Sequence, residues 1–147
     1  MRYLGLDVGD VRIGVALSDE TATIATGLPT FERVGPRKDL KAIARLTREN
    51  EVGELVVGLP RRLDGEVGIQ GQKVLAFMDG LRELVDVPVV AWDERFTTSL
   101  AQQTLIEGDV KRKNRKGAVD QVAAILILQS YLDYRKLADA EARKPTS

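Results

Sequence analysis

The stretch Tyr3-Leu4-Gly5-Leu6-Asp7-Val8-Gly9-Asp10-Val11-Arg12-Ile13-Gly14-Val15-Ala16-Leu17-Ser18 decides the fold, because it predicts two β-strands joined by a tight turn. The apolar residues at positions 4, 6 and 8 share one face of the first strand, and Asp7 lies on the other face. The pair Gly9-Asp10 is typical of a turn. A carboxylate beside a buried strand either caps the hairpin or needs a bound cation to offset its desolvation. The stretch alone favours neither interpretation of Asp7.

Length and composition indicate one globular domain. The chain has 147 residues, of which 44% are hydrophobic and 30% charged, and this balance supports a packed core. We expect residues 1–138 to form a single domain and the polar tail, residues 139–147, to be frayed. No apolar run reaches the roughly 18 residues of a membrane span, and the start of the chain lacks a signal-peptide pattern. A soluble cytoplasmic protein without a membrane partner is therefore expected.

The chain contains no Cys and no His, and this inventory restricts its chemistry. Disulfides, thiolate zinc sites and Cys nucleophiles are excluded, as are Ser-His-Asp triads and His-ligated metals. Any acid–base or metal chemistry must use carboxylates, Lys or Tyr. Oxygen ligands favour hard divalent ions, so Mg²⁺ or Mn²⁺ is expected rather than Zn²⁺.

After the hairpin, apolar spacing and turn residues predict alternating strands and helices. Strands are expected at 28–33, 55–59 and 88–92, and helices at 39–50, 72–84, 97–107 and 118–137. This order predicts an α/β fold with a mixed sheet, in which a three-stranded antiparallel meander is extended by two parallel strands. Functional groups of such sheets gather at the carboxyl ends of the parallel strands.

Three acids are candidates for one metal site. Asp7 and Glu94 each lie at the end of a predicted strand, and Asp120 lies near the start of the last helix. Each acid also has an ordinary explanation: Glu94 could pair with Arg95 at the surface, and the helix dipole stabilises a first-turn acid by roughly 0.3–1 kcal/mol. In a chain without His or Cys, the three acids together favour a shared site.

Three carboxylates can hold two divalent ions about 3.5–4 Å apart when one acid is shared. We expect Asp7 to be the shared ligand because its strand is the most central, and Glu94 and Asp120 each to complete the shell of one ion. Such a pair of ions suits in-line hydrolysis of a phosphodiester. The acids therefore predict a metal-dependent nuclease with Asp7, Glu94 and Asp120 as catalytic, metal-binding residues.

Basic residues are candidates for holding the phosphates of a nucleic acid. The 22 basic and 22 acidic residues cancel, but five of the six positions from 111 to 116 are basic. Such a run fits contact with phosphates, and the alternative is a solvated loop. The candidate nucleic-acid contacts are Arg12, Arg61, Arg62, Arg95, Lys111, Arg112, Lys113, Arg115 and Lys116.

Four segments spread over nearly the whole chain carry a family resemblance. They are the hairpin from Gly5 to Asp19, Val56-Val57-Gly58-Leu59-Pro60 with Asp64-Gly65 and Gly68, Asp93-Glu94-Arg95-Phe96-Thr97-Thr98, and the run from Lys116 through Asp120 to Gln129. On these residues the chain resembles the YqgF/RuvX family of ribonuclease H-like bacterial nucleases. The resemblance implies a five-stranded mixed sheet flanked by about four helices. It also implies a metal-binding trio on Asp7, Glu94 and Asp120, whereas Arg61-Arg62 departs from the more apolar residues typical of the family.

The resemblance implies trimming of the 5′ end of pre-16S rRNA, and family members are also similar to Holliday junction resolvases. A resolvase would act on branched DNA as a symmetric homodimer, since two strands must be cut in related positions. An alternative from another class is a non-catalytic nucleic-acid-binding or ribosome-assembly module. An actin-like nucleotide-binding module is disfavoured, because Asp10 places a carboxylate where phosphate would bind and the chain supplies one domain of the two needed.

Overall fold

The computed structural model describes residues 1–96 and 116–143, with the backbone alone at 116–120 and at 143. Its elements, in chain order, are β1 (Arg2–Val8), β2 (Arg12–Ser18), β3 (Ala25–Glu32), α1 (Pro36–Glu49), β4 (Val52–Leu59), α2 (Ile69–Leu84), β5 (Val89–Asp93), a 3₁₀ turn (Glu94–Phe96) and α3 (Lys116–Arg143). Within these residues, no helix combines the length and the hydropathy that a bilayer crossing requires.

The five strands form one mixed sheet in the order β3-β2-β1-β4-β5. The pairs β1–β2 and β2–β3 are antiparallel, whereas β4 runs parallel to both β1 and β5. The predicted meander of three strands extended by two parallel strands is therefore confirmed. The strand that contains Asp7 is the central one, as predicted.

Alternation along β1 separates two cores, one on each face of the sheet. Leu4, Leu6 and Val8 pack on one face into a cluster that includes residues of α1 and α2. Tyr3 lies on the other face, in a cluster with residues of α3. The predicted two-sided pattern of the first strand is confirmed, and it places Asp7 on the α3 side.

Helix α3 lies directly on the sheet and is fastened at both edges. A Cβ on Gly5 of β1 would lie 2.7 Å from the Leu128 Cβ, so the absence of a side chain lets the helix approach. The Gln121 amide donates to the Leu28 carbonyl of β3 at 2.8 Å. At the other edge the Trp92 indole of β5 donates to Ser130 Oγ, also at 2.8 Å. The start of α3 is thereby held over the carboxyl end of β1.

Several predicted boundaries differ from those observed. Helix α3 continues to Arg143, so residues 139–143 are helical where the sequence predicted a frayed tail. The tail is polar, but a helix needs no buried face for its last turns when the preceding turns are packed. The predicted helix at 97–107 lies outside the described residues, as do residues 144–147. Three of the four predicted α-helices can therefore be compared, and all three are present.

A buried ion pair fixes the corner between β3 and α1. The Asp39 side chain is 1% exposed, and its carboxylate accepts hydrogen bonds from the Val34 N–H at 3.0 Å and from Arg33 Nε at 2.9 Å. Arg33 Nη1 also donates to the Gly9 carbonyl at 3.0 Å, in the turn that follows Asp7. Burial raises the pKa of Asp39, but these hydrogen bonds outweigh burial and hold the pKa below its ordinary value.

Asp39→Asn should lower the free energy of unfolding by about 1.5–3 kcal/mol at pH 7, the usual range for hydrogen bonds to a buried charge. Because the pKa of Asp39 is depressed in the folded state, the stabilisation is present above the unfolded pKa of about 3.9 and is lost as the pH falls below it. Urea titrations of both proteins from pH 7 to pH 2 would measure this difference. Asp79→Asn, which removes an exposed pair with Arg82, is the control and should cost less than about 1 kcal/mol. A pH-independent difference for Asp39→Asn would contradict the assignment.

Candidate active site

Asp7 is the last residue but one of the central strand and lies at the carboxyl edge of the sheet. Its side chain is half-buried on the α3 face. On one side Asp7 pairs with Gly14 of β2. On the other side Leu6 is opposite Val57 of β4, so Gly58 is the residue of β4 next to Asp7. Asp7 is thus flanked by two glycines on the neighbouring strands, which leaves space above the sheet for its carboxylate.

Glu94 follows β5 directly and opens the short 3₁₀ turn. A Cβ built on Gly58 would lie 3.0 Å from Glu94 Oε1, so the Glu94 carboxylate sits over the backbone of β4. That strand separates β5 from β1. Gly58 therefore makes room for Glu94 to reach across one strand toward Asp7.

The two carboxylates interact, and the interaction changes the protonation of Glu94. Burial raises the pKa of Glu94, and the negative charges of Asp7 and then Asp93 raise it further, to about 7. The structure thus brings together the first two of the three predicted acids. Both side chains take part in polar or electrostatic interactions in the folded protein.

Asp120 lies in the second turn of α3, where the structure describes the backbone alone. The helix passes from Tyr131, whose ring centroid is 5.9 Å from that of Tyr3, to Leu128 above Gly5. Continuing toward its N-terminus, α3 runs from Gly5 in the direction of Asp7. Among the side chains that the structure describes, no three His, Cys, Asp or Glu residues form a metal-binding group, and Asp120 is not in that set. The third predicted ligand therefore stays a prediction.

The donor set fits a hard divalent cation. Asp7 and Glu94 offer carboxylate oxygens, which are the ligands that Mg²⁺ and Mn²⁺ prefer. Two half-buried acids that repel each other gain electrostatic stabilisation from a cation between them, because the cation favours the ionised form of both. The alternative in which Asp7 only caps the hairpin does not explain why Glu94 is held beside it.

Two of the predicted phosphate contacts gather around Asp93 at the same edge. Arg95 Nη2 lies 2.7 Å from Asp93 Oδ2, and Arg61 Nε lies 3.4 Å from the same oxygen. The hydrogen bond from Arg95 holds the pKa of Asp93 below its ordinary value, against the effect of burial. Arg61 also donates to the Gly65 carbonyl at 3.1 Å. Arg95 thus pairs with Asp93, and the surface pair with Glu94 considered from the sequence is not among the ion pairs of the described residues.

The other predicted phosphate contacts do not gather around Asp93, and some of them lie outside the described residues. Arg12 is the first residue of β2, at the same sheet edge as Asp7. Arg62 pairs with Asp64 at 3.2 Å, in the loop before α2, and its side chain is 67% exposed. Lys116 begins α3, described by its backbone alone. Lys111, Arg112, Lys113 and Arg115 lie outside the described residues.

Sequence reasoning missed two residues that build this edge. Asp93 positions both arginines, and the signal was present in the i, i+2 spacing of Asp93 and Arg95 after a strand. Gly58 provides the space for Glu94, and the signal was a glycine inside an otherwise apolar strand, which often marks a close approach.

The fold and the acid-bearing sheet edge define a ribonuclease H-like α/β domain. Thermus thermophilus RuvC in complex with a Holliday junction substrate has the same fold, with a TM-score of 0.62, 16% identity, and coverage of 93% of this chain and 96% of that one. The fowlpox virus resolvase in complex with Holliday junction DNA matches with a TM-score of 0.57 and 14% identity, over 92% of this chain and 99% of that one.

The family follows from sequence comparison. The family model described as "RuvX: Holliday junction resolvase" matches residues 1–134, and the chain belongs to this family. A relative from Thermoanaerobacter pseudethanolicus, named "Putative pre-16S rRNA nuclease", is 50% identical over 92% of this chain and 99% of its own length. A relative from Clostridioides difficile with the same name is 42% identical over 91% of this chain and 95% of its own length. The suspected YqgF/RuvX membership is confirmed.

In the metal-free protein, the Glu94 carboxyl should titrate near pH 7, and Asp7→Asn should lower that pKa because one of the two nearby negative charges is removed. Burial should keep the pKa of the variant above the ordinary value of about 4.3. The side-chain carboxyl ¹³C shifts of Glu94, followed by NMR from pH 4 to pH 9, would measure both midpoints. Glu49→Gln, a change at the exposed end of α1, is the control. The same midpoint with and without the Asp7 charge would mean that the two acids do not interact electrostatically.

Proposed function

We propose that this protein is a divalent-metal-dependent nuclease that hydrolyses phosphodiester bonds in RNA and processes the 5′ end of pre-16S rRNA. The observation that carries the proposal is the electrostatic interaction of Asp7 with Glu94, whose carboxylate lies over Gly58 at the carboxyl edge of the sheet. Two acids that repel each other this close to a buried strand are explained by a cation that they share. The names of the relatives from Thermoanaerobacter pseudethanolicus and Clostridioides difficile support the RNA substrate.

In this proposal Asp7, Glu94 and Asp120 would hold two Mg²⁺ or Mn²⁺ ions. Bound there, such ions would supply activation of a water and stabilisation of the leaving oxygen in an in-line displacement. Asp7, on the central strand, would be the shared ligand, and Glu94, in the turn after β5, and Asp120, a residue of α3, would each complete the shell of one ion. The Asp93 carboxylate keeps Arg61 and Arg95 close to this edge, where they attract and orient the phosphates of the strand to be cut.

The second candidate function is resolution of Holliday junctions, which the description of the family model favours. A resolvase must cut two strands at related positions, so this activity requires a symmetric homodimer. A processing nuclease can act as a monomer, and it would work in the cytoplasm, where ribosomes are made. Oligomeric state and substrate preference together separate the two candidates.

Metal-dependent cleavage of single-stranded RNA, a precursor rRNA end and a four-way DNA junction, compared side by side, tests the proposal. We expect cleavage of the precursor end with Mg²⁺ or Mn²⁺ and none with EDTA. Preferred cleavage of the junction by a dimer would favour the resolvase. Binding of RNA without cleavage of any substrate would favour the non-catalytic module.

Asp7→Asn should lower the cleavage rate by about 100-fold or more, the usual cost of removing one group that stabilises transition-state charge. Binding of the RNA in the absence of metal should be retained. The matched control is Asp10→Asn, three residues further along the same hairpin, where the carboxylate forms an exposed pair with Lys73 at 3.3 Å. Single-turnover rates at saturating RNA would measure both variants. Equal rates for Asp7→Asn and the unaltered protein would reject the site.

Gly58→Ala should lower cleavage by about tenfold or more, because the new methyl group competes with Glu94 Oε1 and with Ile127 Cδ1, which would lie 2.4 Å away. The Ile127 methyl is at the end of a flexible chain, so the free energy of unfolding should change by only about 1–2 kcal/mol. Gly53→Ala on the same strand is the control, since its Cβ would meet the Met1 side chain far from the site. Cleavage rates and urea unfolding would separate the two effects. Cleavage that falls equally in both variants would argue against a specific role for Gly58.

A further inference from the structure

The outer side of α1 carries a row of cations that the candidate active site does not use. At 100° per residue these side chains fall within an arc of about 100°, and at 1.5 Å per residue the row is about 16 Å long. Its members, which we call the α1 stripe, are Arg37, Lys38, Lys41, Arg45 and Arg48. All five side chains are exposed.

Few carboxylates lie near the α1 stripe. Of the two acids on α1, Asp39 is buried and pairs with Arg33, and Glu49 is exposed in the last turn, about 20° outside the arc of the stripe. Within residues 1–96 and 121–142, none of the ion pairs involves a member of the stripe. In a chain with a formal net charge of zero, this row concentrates positive potential on one surface.

The other two helices differ from α1 in their charges. On α2, Lys73 pairs with Asp10, and Arg82 pairs with Asp79. The exposed turns of α3 from 133 to 141 mix acids and bases along the same surface. A helix face that is merely solvated is expected to carry both signs, as α2 and α3 do. The exposed side of α1 instead carries five cations and one acid, Glu49, and this excess of positive charge indicates an anionic partner.

The stripe begins at the edge of the sheet where the candidate active site lies. The end of β3 is beside the start of β2, since Glu32 pairs with Arg12, and α1 begins four residues later. Arg33 connects this corner to the Gly9 carbonyl, two residues after Asp7. From that edge α1 runs away along the face of the sheet opposite to α3. The acids and the first turn of α1 therefore share one edge of the sheet but lie on opposite faces, so a polyanion that contacts both must pass around that edge.

We propose that the α1 stripe binds the phosphate backbone of a double-helical RNA segment adjacent to the strand that is cut. The inference rests on the proposed function and specifies its substrate as RNA with a duplex next to the scissile bond. A single strand is bound by stacking its bases on aromatic side chains, and α1 contains none. A duplex is held mainly through its phosphates and shape, for which a straight row of Arg and Lys suffices. An acidic protein partner would be expected to find apolar anchors as well, which the stripe does not offer.

The test measures binding separately from cleavage. The probe is an RNA hairpin with a single-stranded 5′ extension, bound without metal by proteins that all carry Asp7→Asn. Lys41→Gln with Arg45→Gln removes two charges from the middle of the stripe. The matched control, Gln72→Glu with Ala76→Glu, makes the same change in net charge on the exposed side of α2. Thermal unfolding of each protein verifies that the fold is kept.

The stripe variant should bind the hairpin about tenfold or more weakly near 0.1 M salt, and the slope of log affinity against log salt should fall by about 2. The control should lose much less. Equal losses in both variants would reduce the effect to net charge and overturn the inference. An unchanged affinity of the stripe variant for the hairpin, as expected if the partner is an acidic protein, would also overturn the inference. An equal loss of affinity for a single-stranded RNA of the same length would overturn it as well.

A separate measurement distinguishes failure of this inference from failure of the proposed function. With Asp7 intact and Mg²⁺ or Mn²⁺ present, the stripe variant should cleave a single-stranded RNA too short to reach α1 at the rate of the unaltered protein. If the unaltered protein cleaves no RNA, the proposed function fails. If it cleaves and the stripe variant keeps full affinity for the hairpin, the inference alone fails.

Discussion

The constraint on which the structure depends is the placement of two like charges beside each other at the end of a fully buried strand. β1 is covered on both faces, so Asp7 cannot move away from Glu94 without disturbing the strand that joins the two cores. Glu94 is held as firmly, because the turn that carries it follows β5, whose Trp92 donates a hydrogen bond to α3 and packs against Phe96 with ring centroids 5.0 Å apart. The repulsion is therefore built into the packing, and protonation or a cation must relieve it.

Close packing of α3 is what makes this arrangement specific. The helix contacts β1 where Gly5 has no side chain, and the Gln121 and Gln129 amides hydrogen-bond to the edge strand β3 and the loop before it. These contacts fix the register of the helix along the sheet, and they include positions immediately after Asp120. A helix fixed at this register can supply a third ligand from a constant position, as a metal site of defined geometry requires.

The sequence predicted the architecture well because β1 has an unambiguous alternation. Apolar residues alternate along this strand, and the hairpin followed by alternating helices and strands implied a mixed sheet built around it. The partner of Arg95 was harder to predict. Glu94 is adjacent to Arg95 in the sequence and Asp93 is two residues before it, yet Glu94 lies over Gly58 while Asp93 accepts the Arg95 backbone N–H at 2.9 Å. The i, i+2 spacing indicates the Asp93–Arg95 pair, but the position of Glu94 over Gly58 is a tertiary feature that spacing does not encode.

The distribution of positive charge shows a different limit of sequence reasoning. The basic run at 111–116 is conspicuous because its residues are consecutive, whereas the cations of α1 are separated by Asp39, Leu40, Ile43 and other residues of the inner face. Only the helical period brings them to one side, so the pattern becomes visible once the bounds of α1 are known.

The buried pair of Arg33 and Asp39 has a second role besides stabilising the corner between β3 and α1. It anchors the first turn of α1 to the backbone at Gly9, and so it fixes the distance between the row of cations and the acids. A nuclease that reads shape rather than base sequence depends on such a fixed distance, because the position of the duplex then determines which phosphate reaches the acids.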